Sequence, residues 1–165
     1  MSLLPPGFPD DVFGAFEVLK SRAPLSVEDL KVLAMIEVSG EYLYQAIARG
    51  APDEECKALL RRNGQEERGH AHRMLKAIAL KGGEFTLPAD GEIPFVRTTP
   101  EEIPSNAEFL AMLGSAEDGG DAIYSRWADA EPHAEVARLL RLNGREEARH
   151  GERIAEVRKR LGMVQ

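Results

Sequence analysis

Leu59-Leu60-Arg61-Arg62-Asn63-Gly64-Gln65-Glu66-Glu67-Arg68-Gly69-His70 returns eighty residues later as Leu139-Leu140-Arg141-Leu142-Asn143-Gly144-Arg145-Glu146-Glu147-Ala148-Arg149-His150. The same offset maps residues 24–82 onto 104–162 without a gap, through Pro24/Pro104, Leu30/Leu110, Leu33/Leu113, Glu37/Glu117, Gly40/Gly120, Tyr44/Tyr124 and Pro52/Pro132. Such self-similarity means one supersecondary unit used twice. Each unit opens on a helix N-cap, Ser26 with Glu28 and Asp29 behind it, or Asn106 with Glu108. It breaks near Gly50-Ala51-Pro52 or Ala130-Glu131-Pro132, where the proline is expected in the first turn of the next helix. Two helices per unit, twice, predict an all-α four-helix bundle of repeated helical hairpins.

The second helix of the first unit is expected to end near Gly82-Gly83, leaving residues 83–103 as a proline-containing link. A connection of that length is unusual inside a compact domain, but one long crossover is what lets two hairpins close into a bundle. Ahead of the repeats, within residues 9–22, Val12, Phe13, Phe16 and Leu19 form an apolar stripe after Pro9-Asp10. That stripe predicts an extra N-terminal helix, docked on the bundle or on a second subunit, so a homodimer or higher homo-oligomer is expected. Residues 1–165 are read as one domain.

The formal charge of −7 disfavours nucleic acid or an anionic membrane as the main partner. No stretch approaches the roughly 20 apolar residues of a membrane span, and Met1–Asp11 lacks the charged start and apolar run of a signal peptide. A cytoplasmic protein is expected. Cys56 is the one cysteine, which rules out an intramolecular disulfide and every Cys-x-x-Cys metal site. Any metal is therefore held by oxygen and nitrogen.

The chemistry lies on the helix seams. Leu30, Leu33, Glu37, Gly40, Tyr44 and Ile47 alternate steps of three and four, the spacing of a buried bundle stripe, and Leu110, Leu113, Glu117, Gly120, Tyr124 and Trp127 repeat it. The second helices read Cys56, Leu60, Asn63, Glu67, His70, Met74, Ala77 and Val136, Leu140, Asn143, Glu147, His150, Ile154, Val157. All four stripes are apolar at their ends and polar in the middle. Four carboxylates buried together without a counter-charge would cost several kcal/mol per ion, whereas two divalent cations cancel them and neutral histidine supplies nitrogen. Residues three apart share a helix face, so Glu67-x-x-His70 and Glu147-x-x-His150 each aim two ligands one way. With Glu37 and Glu117 they complete the dimetal carboxylate pattern of helical bundles.

Tyr44 and Tyr124, two turns beyond the ligand acids, are the expected hydrogen-bond donors to a ligand carboxylate. Glu66 is expected to accept the outer ring N–H of His150, and Glu146 that of His70, with a solvated pairing to arginine as the alternative. Gly40 and Gly120 leave room beside the metals for dioxygen or peroxide, or serve close helix packing. Asn63-Gly64 and Asn143-Gly144 ordinarily mark turns, yet the seam runs through them, which predicts a continuous helix with a local bulge. His72, His133 and Cys56 receive no role.

These residues resemble the ferritin-like superfamily, and within it the rubrerythrin-like di-iron proteins. The likeness runs from Pro24 to Gly162 and rests on Glu37, Glu67-x-x-His70, Glu117, Glu147-x-x-His150 and the two tyrosines, while Glu146-Glu147-Ala148-Arg149-His150 is similar to the acid-Glu-x-Arg-His motif of bacterial di-iron oxygenases. The resemblance implies a bridged di-iron centre that reacts with peroxide or dioxygen. Two departures stand out. Rubrerythrins carry a further metal-binding Glu where this chain has Gly120, and they carry a four-cysteine rubredoxin domain, so an external electron donor is expected here. The function expected is an oxidoreductase that reduces hydrogen peroxide or oxidises ferrous iron. The alternatives are iron storage or delivery, a bundle with a vestigial site, and hydroxylation of an organic substrate. The ligand set suits two iron ions or manganese, and zinc can occupy such a site in purified protein.

Overall fold

The computed structural model describes residues 3–162; residues 1–2 and 163–165 of the expected 1–165 domain lie outside the described residues. Six α-helices and one 3₁₀ turn are formed, with no strand among the described residues: α1 (Val12–Lys20), α2 (Val27–Arg49), α3 (Glu54–Leu80), the turn Asp90–Glu92, α4 (Pro94–Arg97), α5 (Ala107–Ala130) and α6 (Ala134–Arg160). The four long helices make the ferritin-like bundle. α2 packs along α3, α5 along α6, and the two hairpins join where α3 meets α6.

Local chemistry sets the ends. Ser26 caps α2 in a reciprocal box with Asp29, and Asn106 caps α5 by accepting from Phe109 N at 2.9 Å. The second helices start differently from the sequence reading. Asp53 and His133 are the N-caps of α3 and α6, so Pro52 and Pro132 lie one residue before the cap and not in the first turn. Proline still ends the preceding segment, but a side-chain acceptor is needed at the cap and proline has none. α3 stops in a Schellman motif, with Gly83 N donating to Ile78 O at 2.9 Å and Gly82 N to Ala79 O at 3.0 Å. Gly82 takes φ 77°, which favours glycine at that position.

α3 and α6 run unbroken through Asn63-Gly64 and Asn143-Gly144, with no bulge. A Cβ on Gly64 would stand 3.2 Å from Glu41 O and Tyr44 Cβ, and one on Gly144 would stand 2.9 Å from Tyr124 Cβ. The glycines let each hairpin close tightly beside the polar middle of the seams.

Two apolar clusters flank that middle. One gathers Leu30, Leu33, Met74, Trp127, Val136 and Leu140; the other gathers Ile47, Cys56, Leu60, Leu110, Ile154 and Val157. Each such side chain, fully buried, contributes about 1.5–3 kcal/mol.

α1 docks on the bundle of its own chain: Ala15 and Leu19 are buried, and Phe16 meets Trp127 edge-on at 6.1 Å. Phe13, assigned to that stripe from the sequence, instead points outward at 75% exposure. The crossover is a strap over α2. It buries Ile93 and Phe95, and Asp90 accepts from Tyr42 at 2.9 Å and from both outer nitrogens of Arg68 at 3.2 and 2.7 Å. No described helix is long and apolar enough to cross a membrane.

Candidate metal centre

The bundle brings all six seam residues to one place. Glu37 comes from α2, Glu67 and His70 from α3, Glu117 from α5, and Glu147 and His150 from α6. All six are buried, the two histidines completely. His70 Nδ1 lies 3.3 Å from Glu67 Oε2, 3.2 Å from Glu147 Oε1 and 3.5 Å from Glu37 Oε2. His150 Nδ1 mirrors it, 3.4 Å from Glu67 Oε1, 3.5 Å from Glu147 Oε2 and 3.6 Å from Glu117 Oε2. Glu67 and Glu147 each turn one oxygen to either histidine, whereas Glu37 and Glu117 each serve one. The ligand atoms thus form two four-residue groups, Glu37-Glu67-His70-Glu147 and Glu67-Glu117-Glu147-His150, within each of which the atoms lie inside 4.8 Å of one another.

Both Nδ1 atoms are buried and make no hydrogen bond. A buried nitrogen without a partner costs about 1–3 kcal/mol, and each of the two, set among three carboxylates of which two are shared, stands where a cation could be held. The outer nitrogens explain the orientation: His70 Nε2 lies 3.0 Å from Glu146 Oε2 and His150 Nε2 lies 3.2 Å from Glu66 Oε2. An ionised carboxylate there accepts from Nε2–H and turns Nδ1 inward, where its lone pair becomes available to a metal once the ring is neutral.

The tyrosines pair across the repeats. Tyr44 donates to Glu117 and Tyr124 donates to Glu37, so each steadies the ligand acid of the other unit. Gly40 and Gly120 lie against the shared acids: a Cβ would stand 3.0 Å from Glu67 Cδ and 3.2 Å from Glu147 Cγ. The room these glycines leave is taken by the ligand carboxylates.

Charge in the cluster is arranged to compensate. Burial pushes Glu37 up to about 8 and Glu117 well above the carboxylate range. Burial also opposes ionisation of Glu67 and Glu147, but it is outweighed at Glu147 by the Glu117 carboxyl and both imidazoles, and at Glu67 by the two imidazoles, so both are held below their ordinary value. Burial works against charge on the histidines, yet the surrounding carboxylates raise His70 well above its usual range and push His150 up to about 12. Glu146, against its own burial, is brought down to about 2 by His70 and Arg73. Protons therefore occupy the cluster where cations would neutralise it.

Sequence reasoning gave no role to four residues around this set. Arg73 holds Glu146 and Asn143, and Arg153 holds Glu66 and Asn63. All four obey the eighty-residue offset, a signal that was present in the sequence. Of the residues left without a role, His133 accepts from Val136 N as a helix cap and Cys56 bonds Asp53.

A sequence profile of the family described as Rubrerythrin matches residues 30–158. No curated protein and no solved structure gives a match. Because that match begins in α2, ends in α6 and takes in every residue of the cluster, the chain belongs to the rubrerythrin family.

Proposed function

We propose that the cluster holds two iron ions and that the protein is an oxidoreductase acting on hydrogen peroxide or dioxygen, reducing peroxide or oxidising ferrous iron, with electrons from an external donor. The observation that carries this reading is the pair of inward-facing, unbonded His Nδ1 atoms, each set among three carboxylates of which two are shared. The donor set fits: Glu37, Glu67, His70 and Glu147 would hold one ion, and Glu67, Glu117, Glu147 and His150 the other. Oxygen and imidazole ligands suit iron or manganese, and four carboxylates match the charge of two divalent ions. When bound, such a pair supplies electrons and Lewis acidity to an O–O unit.

The protein's own part is orientation and proton control. Glu146 and Glu66 keep the Nε2 protons on the outer side of His70 and His150. The hydroxyls of Tyr124 and Tyr44 fix one oxygen of Glu37 and of Glu117 and keep a proton within reach of each. The apolar clusters at both ends of the seams close off the bundle axis.

The test is stopped-flow oxidation of anaerobically iron-loaded, reduced protein by hydrogen peroxide. Two iron ions per chain and an oxidation rate well above that of free ferrous ion are expected. A rate equal to that of free ferrous ion refutes the oxidoreductase reading.

A further inference from the structure

Arg73, on α3, makes three hydrogen bonds to α6. Its NH1 donates to Asn143 Oδ1 at 2.9 Å and to Glu146 Oε2 at 2.8 Å, and its NH2 donates to Glu146 Oε1 at 2.9 Å. From there two branches lead to the centre. Glu146 Oε2 accepts from His70 Nε2. Asn143 Nδ2 donates to the Tyr124 hydroxyl at 3.3 Å, and that hydroxyl donates to Glu37. His70 and Glu37 are the two ligands that the first metal position does not share with the second.

Arg153, on α6, repeats the pattern in the other direction. It donates to Asn63 Oδ1 at 2.9 Å and to Glu66 at 2.7 and 3.0 Å. Glu66 accepts from His150 Nε2. The Asn63 amide donates to the backbone carbonyl of His150 itself at 3.3 Å, beside Tyr44, whose hydroxyl donates to Glu117. His150 and Glu117 are the unshared ligands of the second position.

We infer that Arg73 and Arg153 are positioning residues, each governing both unshared ligands of one metal position and neither ligand shared between them. This rests on the two-metal reading above. The planar guanidinium suits the task because it can grip both oxygens of a carboxylate and still reach an amide, which the single ammonium of lysine cannot do. A plain clamp between α3 and α6 would have a different signature, because loosening the helix pair would disturb both positions together.

The test is titration of metal-free protein with Mn²⁺ by calorimetry, with anomalous diffraction at the manganese edge from crystals soaked at each stoichiometry. The wild-type chain should take up two ions. Arg73→Gln should keep one ion of near-native affinity beside Glu117 and His150, and lose roughly 10–100-fold in affinity beside Glu37 and His70. Arg153→Gln should give the mirror result. Arg73→Lys, which keeps the charge and the apolar stem, should weaken the same position as Arg73→Gln and carries the test if the glutamine variant does not fold. Equal weakening of both positions, no weakening at either, or loss of cooperative folding in both Arg73 variants overturns the inference. Uptake of fewer than two ions by the wild-type chain is a separate result, and it overturns the two-metal reading itself.

Discussion

Filling the centre with metal should expel protons in a definite number. At pH 7 the metal-free cluster keeps a proton on Glu37, which burial raises to about 8, and burial pushes Glu117 well above its ordinary value in the same sense. It also keeps an extra proton on each histidine, where the ring of carboxylates overcomes burial to push His150 up to about 12 and His70 well above its ordinary value. Glu67 and Glu147 remain ionised. Two carboxylates then balance two imidazolium ions, and the metal-free site is close to neutral. Loading with two divalent ions requires four carboxylates and two neutral imidazoles, which is again neutral, so about four protons leave as two ions enter. The sign follows from groups whose pKa is raised in the metal-free state: higher pH favours their deprotonated, ligating form, so affinity rises with pH. At about two protons per ion, each contributing about 1.4 kcal/mol per pH unit, the dissociation constant should fall roughly a hundredfold per ion from pH 6 to 7. The slope should flatten once pH passes the value for Glu37. Calorimetric Mn²⁺ titration in two buffers of different ionisation enthalpy gives the proton count directly, and repeating it across pH gives the slope. Release of less than one proton per ion, with affinity flat between pH 6 and 8, would refute the compensation of cations by protons.

Gly64→Ala and Gly144→Ala should both destabilise the protein, the second more, because its Cβ would stand 2.9 Å from Tyr124 Cβ against 3.2 Å from Tyr44 Cβ for the first. Overpacking of this kind costs about 1–3 kcal/mol, enough to exceed the roughly 1 kcal/mol that alanine contributes over glycine in a helix. Gly69→Ala, where a Cβ meets nothing within 4 Å, should show that gain alone and raise stability in chemical denaturation. Tyr124→Phe removes the donor to Glu37 and the acceptor for Asn143. It should lower stability by about 1–3 kcal/mol while leaving the bundle's helix content by circular dichroism unchanged. Trp127→Phe, which vacates part of a fully buried site and removes the 3.0 Å bond from Nε1 to Arg22 O, should cost about 2 kcal/mol in the same assay without changing metal stoichiometry.

The six acids and histidines were legible because a polar residue on an apolar stripe has few explanations, and a second copy in register removes most of those. Which acids are shared was not legible, because it depends on how the hairpins meet. α3 and α6 lie side by side, so the acids they carry face both histidines, whereas those of α2 and α5 each face one. The tyrosine pairing was hidden for the same reason: Tyr44 is two turns from Glu37 along α2, but its hydroxyl crosses the bundle to Glu117. Arg73 and Arg153 carried the repeat signal and were missed because arginine beside glutamate on a helix ordinarily means a solvated pair worth under about 1 kcal/mol.

The places where the repeats differ point to the other half of the architecture. Val32, Met35 and Val38 on α2 have Met112, Ser115 and Asp118 as counterparts on α5. The first three are fully buried, because α1 and the crossover strap cover that face, and the last three are exposed. An apolar α5 face would gain nothing there, since no strap crosses it within the described residues. The residues at the centre are thus identical in the two units, while this outer face diverges where only one hairpin is covered. Asymmetry between the two metal positions should accordingly arise from this outer cover, acting through the rigidity of α2 against α5, and not from the ligands or the arginines that hold them.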